Sequence, residues 1–404
     1  MLSKSLGSLC VILLTIPFLS GCWDSLDIEK RATVLGLAID KIDSDSLNED
    51  HITHFPNTLP NSDQEMIRLT AQISVPGRIP LGPQSGGGGG EQEPVWVVTA
   101  NGHTLEDALL NLQQELADEL FLGHLRIIVI SEELAKEGIE RFNDYLRRQP
   151  EVRRTAWMAV SQEEAAKYME VAPKLERVPT LYLTYMVKNA VDLGKFPKGD
   201  IGIFWRSLSS KGQDAYLPYL KIKGSQNIEM KGLSFFKDDK MKGIIDPIEI
   251  GSYMSVLGYS EGGYGAFIKV PGTEESVLVR AVRRKSRMKS TIKNGKPVIR
   301  IKIQYESEIV ENENDTIKLD NSKLLRQIEK KATKDVTNSL NNLIRKMQEE
   351  ESDIFGFGEQ IRAKHPTYWR KKIKSKENWR KVYKDLEVHV DMNTHIRQVG
   401  MKAK

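Results

Sequence analysis

Cysteine is nearly absent from this chain, with two in 404 residues, Cys10 and Cys22. Cys10 falls inside the apolar leader described below, so no intrachain disulfide, thiolate metal site or cysteine nucleophile is available to the rest. Histidine is sparse too, at seven residues, and five of these (His103, His124, His365, His389 and His395) stand alone. His51 and His54 sit near Asp43, Asp45, Glu49 and Asp50, but in a polar loop with no third and fourth ligand at a recognised spacing. That pair reads as solvated loop rather than a metal site. No paired carboxylates or Cys/His arrangement assembles a catalytic constellation, so neither enzyme activity nor a bound cofactor or metal is expected. Long hydrophobic runs are missing after the leader, which excludes a spanning helix of roughly 20 apolar residues. A net charge of +4 over the whole chain does not suggest a generic nucleic-acid binder.

What the chain does have begins at its first residues. Lys4 gives a weakly positive start, and residues 9–19 (LCVILLTIPFL) form a short apolar run broken by Pro17. The run is too short to cross a bilayer but matches the apolar core of a signal peptide. Leu19-Ser20-Gly21-Cys22 then closes it as a lipobox: small residues admit a signal peptidase, and the Cys22 thiol takes a diacylglycerol. The expectation is that residues 1–21 are cleaved and Cys22 is the lipidation site. The competing reading, an uncleaved anchor with an incidental cysteine, fits the segment length less well. Two or more acyl chains, each buried methylene contributing about 0.8 kcal/mol, hold a protein firmly at a membrane. The remainder would be a water-soluble domain on the extracytoplasmic face.

Periodicity gives the organisation. Residues 33–40 and 67–75 alternate as strands, with a polar loop between them. Residues 76–94 carry four prolines and the run Gly86 to Gly90, a flexible loop. A phosphate cradle would need a helix and usually a lysine after the glycines, and a strand follows instead. The pattern then becomes α/β: strand 95–99, helix 104–118 capped by Thr104 with Asp107, strand 125–130, helix 132–148, strand 156–160, and helices 163–170 and 181–191. Strands dominate next, at 216–222, 228–236, 240–245, 266–270, 276–282 and 298–310, with a short helix at 247–257 and Asn294-Gly295 as a turn. A long helix at 322–350 carries Leu325, Ile328, Ala332, Val336, Leu340, Leu343 and Met347 on one stripe. That stripe suits packing on the chain's own sheet, a partner coiled coil being the alternative. The last strand is 387–392. The fold class is therefore α+β, an elongated chain of about three mixed domains: an N-terminal α/β domain at 22–199, a β-rich middle domain at 200–275, and a C-terminal α+β domain at 276–404.

Gly258-Tyr259-Ser260-Glu261-Gly262 spells G-x-S-x-G, the nucleophile elbow of serine hydrolases. The elbow needs a strand before its serine and a helix after it. Here a helix precedes and a strand follows, so a glycine-rich connection is the better account. Basic residues cluster twice. Residues 280–293 hold Arg280, Arg283, Arg284, Lys285, Arg287, Lys289 and Lys293 without an acid, and residues 362–384 carry ten lysines and arginines against Glu377 alone. The second run is interleaved with Tyr368, Trp369 and Trp379. Such a run suits an anionic membrane surface or an acidic partner, or else a solvated face whose aromatics belong to the core.

Leu19-Ser20-Gly21-Cys22-Trp23-Asp24, then Ile28-Glu29 and Val34-Leu35-Gly36-Leu37-Ala38-Ile39-Asp40, resembles the amino terminus of the Ger(x)C family. Gly123-His124-Leu125-Arg126 fits its middle. Asp353-Ile354-Phe355-Gly356-Phe357-Gly358-Glu359, His365-Pro366, Trp369, Trp379, residues 387–396 and Gly400 fit its distal end. The resemblance spans nearly the whole chain after Cys22, with the five-glycine loop as a local insertion. It implies the C subunit of a spore germinant receptor: a lipoprotein on the outer face of the spore inner membrane, with three mixed α/β domains and no known active site. The subunit would act without enzymatic activity beside an A subunit and a permease-like B subunit, and would be required for nutrient-triggered germination. The B subunit is then the better candidate for binding the nutrient. Cys22 is the one functional residue carried over; Gly356 and Gly358 are expected to supply the turn that ends the long helix. An extracytoplasmic solute-binding lipoprotein stays open as an alternative, although no repeated βα halves are visible, as does an anchored hydrolase using Ser260.

Overall fold

A computed structural model of the chain describes residues 30–42, 66–78, 93–171, 176–224, 226–259, 262–263, 265–312 and 321–398. Cys22, His51, His54, the Gly86 to Gly90 run and Ser260 lie outside those residues.

The first sheet collects, in chain order, β1 (Arg31–Lys41), β2 (Ile67–Ser74), β3 (Val95–Gly102), β4 (Glu119–Phe121), β5 (Ile127–Ser131), β6 (Trp157–Ser161), β7 (Tyr216–Lys223), β8 (Asn227–Lys237) and β9 (Lys240–Ile245). Spatially they run β3-β2-β1-β5-β6-β7-β8-β9, with β4 beside the start of β1. The central neighbours β1, β5, β6 and β7 pair in parallel, and antiparallel strands extend both sides. Central strands of such a sheet are covered on both faces and so read as continuous apolar runs. On β5, Ile128 and Ile130 enter one core while Ile127 and Val129 enter the other. One face carries α1 (Leu105–Gln113), α2 (Glu132–Glu137), α3 (Glu140–Arg148) and α5 (Ile201–Leu208), through Leu105, Leu134, Phe142 and Phe204. The opposite face carries a 3-10 turn with Tyr168 and Met169, and α4 (Pro179–Asp192) with Leu183.

The second sheet is β10 (Gly265–Lys269), β11 (Ser276–Lys293), β12 (Lys296–Asn312) and β13 (Glu387–Gln398), in that order, with β12 and β13 parallel. Asn294 (φ +49°) and Gly295 (φ +76°) form the two-residue turn of the β11–β12 hairpin, the left-handed pair that such a turn requires. Helix α6 (Pro247–Leu257) opens on a capping box between Asp246 and Glu249. Helix α7 (Ser322–Glu349) lays Leu340, Leu343 and Met347 on Ile299, Ile301 and Ile303, and Ile328 with Ala332 on Val277 and Ile309. Its stripe is thus filled by the chain's own sheet. Helices α8 (Phe357–Lys364) and α9 (Lys376–Lys384) complete this half.

Several expectations shift. The helix expected at 132–148 is two helices, because Gly138 takes φ +133° and the next N–H, of Ile139, donates to Asp239 O at 3.2 Å. The expected domain boundary at 199/200 falls inside the first sheet. Strands β7 to β9 pair onward from β6, so residues 200–245 complete the first sheet rather than form one of their own, and β10 belongs to the second. Gly356 and Gly358 do not end α7, which finishes at Glu349; Gly356 (φ +70°) instead starts α8. No helix among the described residues is long and apolar enough to cross a membrane.

Candidate functional site

The densest polar constellation lies where the two sheets meet, and the Asp353 to Glu359 segment builds it. After α7 the chain turns at Glu351 (φ +54°), and the Ser352 hydroxyl donates to Phe236 O on β8 at 2.7 Å. Asp353 is then buried, and its carboxylate accepts from the N–H groups of Phe357 (3.1 Å) and Gly358 (2.8 Å) and from Trp379 Nε1 (3.0 Å). Those two backbone donors are orphan groups of the first turn of α8, so Asp353 caps the helix from outside it. Asp214, just before β7, locks the same residue from the other sheet: Asp214 N–H donates to Asp353 O (2.9 Å) and the Asp214 carboxylate accepts from Asp353 N–H (3.0 Å).

Cations from α9 close the constellation. Arg380 reaches Asp214 (3.1 Å) and forks onto both oxygens of Asp238 (2.7 Å each), while Lys376 reaches Asp214 at 2.9 Å. Glu359 accepts from Gly212 N–H (2.9 Å) and from the Ser210 hydroxyl (2.5 Å) and pairs with Arg362 (2.6 Å). The glycines allow this approach. A Cβ on Gly358 would stand 2.5 Å from Trp379 Nε1, and one on Gly212 would stand 2.4 Å from the Gly358 carbonyl carbon. Beneath lies an aromatic wall, with Phe357 stacked on Phe355 at 5.1 Å and Tyr253 and Tyr383 beyond.

Burial pushes the Asp353 carboxyl up to about 7, helped by the nearby Asp214 charge and opposed by its three N–H donors. The Arg380 fork holds Asp238 below the usual carboxylate range. Every carboxylate here has a partner, and the constellation can fasten α8 and α9 to the first sheet. It offers no free nucleophile or base. Among the described residues, no group of three His, Cys, Asp or Glu could hold a metal ion.

The sequence-based candidates fall as follows. The lipidation residue Cys22 and the His51–His54 pair lie outside the described residues, as does Ser260. The flanks of Ser260 are described: α6 ends at a left-handed Gly258 (φ +77°) and β10 follows, the reverse of the strand-then-helix order of a nucleophile elbow. The first basic run lies on β11, and all of it but the buried Arg284 is exposed. In the second run, Trp369 and Trp379 are core residues, Lys376 and Arg380 turn inward to Asp214, and Arg362, Lys364, Arg370, Lys371, Lys372 and Lys374 are exposed. Sequence reasoning misses Asp214, Asp238 and Gly212. Their partners lie more than a hundred residues away, and no local spacing announces them.

Two family models match end to end: the spore germination protein N-terminal domain over residues 24–222, and the spore germination B3/GerAC-like C-terminal domain over residues 231–400. Among curated proteins of Bacillus subtilis, the putative spore germination protein YfkR is 27% identical over 98% of this chain and 97% of its own length. Spore germination protein KC is 24% identical over 97% and 95%, and spore germination protein A3 is 25% identical over 98% of each. The crystal structure of the GerBC protein superposes with a TM-score of 0.51 at 17% identity, covering 83% of this chain and 95% of that one, which shows a shared fold. The chain belongs to the Ger(x)C, or GerAC-like, family of spore germination proteins.

Proposed function

We propose that this chain is the C subunit of a spore germinant receptor, fixed by a diacylglycerol on Cys22 to the outer face of the spore inner membrane. It acts there without enzymatic activity, by contact with an A subunit and a membrane-spanning B subunit. The observation that carries this reading is the match of both family models across nearly the whole chain after Cys22. The polar junction supports it, since its conspicuous carboxylates fasten one part of the molecule to another. Deleting the gene and following the optical density of purified spores given a panel of nutrients tests the role. Loss of the response to one nutrient class, with a non-nutrient trigger still effective, is expected; unchanged responses to every nutrient count against it. Replacing Cys22→Ala is expected to release the protein from the spore membrane fraction and weaken that response. A variant that stays membrane-bound and fully active would sink the lipid-anchor part of the reading.

A further inference from the structure

The outer face of the second sheet carries a charge arrangement that the fold itself does not need. From Arg283 onward β11 alternates, with Lys285, Arg287, Lys289 and Lys293 exposed and Met288 turned to the core. On β12 the exposed positions include Arg300 and Lys302. Pairing sets Arg287 directly opposite Lys302 and Lys289 directly opposite Arg300. Facing residues in an antiparallel pair have Cβ atoms about 4.5–5.5 Å apart, where like charges destabilise the sheet. No ion pair within the described residues involves any of these six cations. The acids at the border are Asp391 on β13 beside Lys302, Glu387 on the same strand, which meets His389 at 2.6 Å, and Glu306, which Arg397 engages at 3.1 Å.

A guard against edge-to-edge pairing would explain lysines on β11, whose second half is beyond the reach of β10. It does not explain Arg300 and Lys302, because β12 lies between β11 and β13. Half-buried residues of the second basic run reach the tip of the same hairpin: His365 Nε2 meets Ser290 O at 3.0 Å, and the Tyr368 hydroxyl donates to Gly295 O at 3.1 Å. The chemistry of the face narrows its partner. Protein interfaces centre on apolar and aromatic anchors and are poor in lysine, and single-stranded nucleic acids need exposed stacking rings. The half of the hairpin beyond Arg283 has neither: Trp369, Trp379 and Tyr383 are buried in the core beneath, and the exposed apolar side chains of this sheet, Phe267, Val282 and Val310, lie toward its other end. Strand geometry spreads the cations over a flat array, at about 4.8 Å between strands and about 7 Å along them. Such an array suits many independent anions in a plane.

We infer that the outer face of the β11–β12 hairpin, through Lys285, Arg287, Lys289, Lys293, Arg300 and Lys302, docks on the anionic headgroups of a phospholipid bilayer. It rests on the reading above only in supposing that a bilayer lies within reach. Acyl chains on Cys22 would already hold the chain at the membrane, and a polybasic face would add orientation to that attachment. It would lay the second sheet against the membrane and leave the junction with the first sheet free for protein partners.

The test uses residues 22–404 carrying Cys22→Ala, which keeps every described residue and has no acyl group. Co-sedimentation is measured with phosphatidylcholine vesicles, alone or with roughly a third phosphatidylglycerol, at about 0.1 M and about 1 M salt. Expected is partition onto the anionic vesicles roughly tenfold or more above the neutral ones at low salt, and its loss at high salt, where the screening length falls to about 3 Å. Arg287→Gln, Lys289→Gln, Arg300→Gln and Lys302→Gln together should remove that preference and, by relieving the facing like charges, should not lower the melting temperature. Lys323→Gln, Arg326→Gln, Lys330→Gln and Lys334→Gln together, all on α7, should leave the preference intact. Equal partition onto both vesicles overturns the proposal, as does a preference that survives the hairpin substitutions or saturable binding to an acidic polypeptide with none to vesicles. Because no acyl chain is present, failure here is distinct from failure of the Cys22 anchor, which is read in spores.

Discussion

Asp353 shows what burial does to a single carboxyl and how it can be measured. Unfolded, the group ionises near 3.8; in place, burial raises it to about 7. Between those values the native chain holds a proton that the unfolded chain has released. The group's contribution to stability is therefore complete below about pH 4 and is lost as the pH rises through 7. Asp353→Asn keeps the shape but turns an amide N–H2 toward one of the donors now served by the carboxyl. A deficit of about 1–3 kcal/mol follows from the unmet pairing. Urea unfolding of both proteins at pH 5 and pH 8 should show the larger deficit at pH 5, where the natural side chain is protonated and most favourable. An equal deficit at the two pH values would mean that Asp353 is already ionised in the native chain at pH 5. The aspartate itself is visible in the family motif, but its role is not: a motif names residues, whereas the donors from Trp379 and the contact with Asp214 come from segments far along the chain.

Local chemistry makes some elements legible, and tertiary contacts hide others. Helix α6 carries its own signals, with Pro247 in its first turn, the Asp246–Glu249 capping box and a left-handed Gly258 at its end, and its expected and observed bounds coincide. Helix α9 escapes a reading by pattern because lysines and arginines crowd it, yet Trp379 and Tyr383 four apart, after the capping Ser375, spell a short buried stripe. Strand β11 is legible only to 282, since beyond that point both its faces carry polar residues and the hydrophobic alternation fades. The break at Gly138 depends on Asp239, about a hundred residues away. In α6 and its cap two glycines give opposite expectations. A methyl group on Gly251 would meet nothing within 4 Å, so Gly251→Ala should stabilise by about 0.5–1 kcal/mol through helix propensity. Gly258 sits at φ +77° with Ser286 Cβ 3.3 Å from where its own Cβ would lie, so Gly258→Ala should destabilise by about 1 kcal/mol or more. Thermal melts of the two variants should move in opposite directions; a loss at Gly251 would show that its freedom, not its helix, matters.

At the scale of the whole molecule, the question is whether two sheets make two folding units. The second core answers in its membership: Phe196, Tyr216, Leu233 and Phe235 from the first sheet and its surroundings pack with Leu340, Phe355, Phe357 and Trp379 from the second half. The Asp214, Asp238, Lys376 and Arg380 cluster pins the same junction with charge. Domains joined through a small polar surface unfold separately, whereas a shared apolar core couples them. The two halves should therefore unfold in one transition, with tryptophan fluorescence and far-ultraviolet circular dichroism coincident. Arg380→Met removes one of the two cations on the Asp214 carboxylate, whose side chain is only 2% exposed, and leaves Lys376 at 2.9 Å as the other. Stripping a buried charge of its partner costs about 3–5 kcal/mol, and with Lys376 still in place the loss here falls below that range. Because the junction belongs to both halves, that loss should lower the single midpoint without splitting it. If Arg380→Met instead separates an early transition from a late one, the polar cluster, rather than the shared apolar core, is what makes the two sheets one cooperative unit.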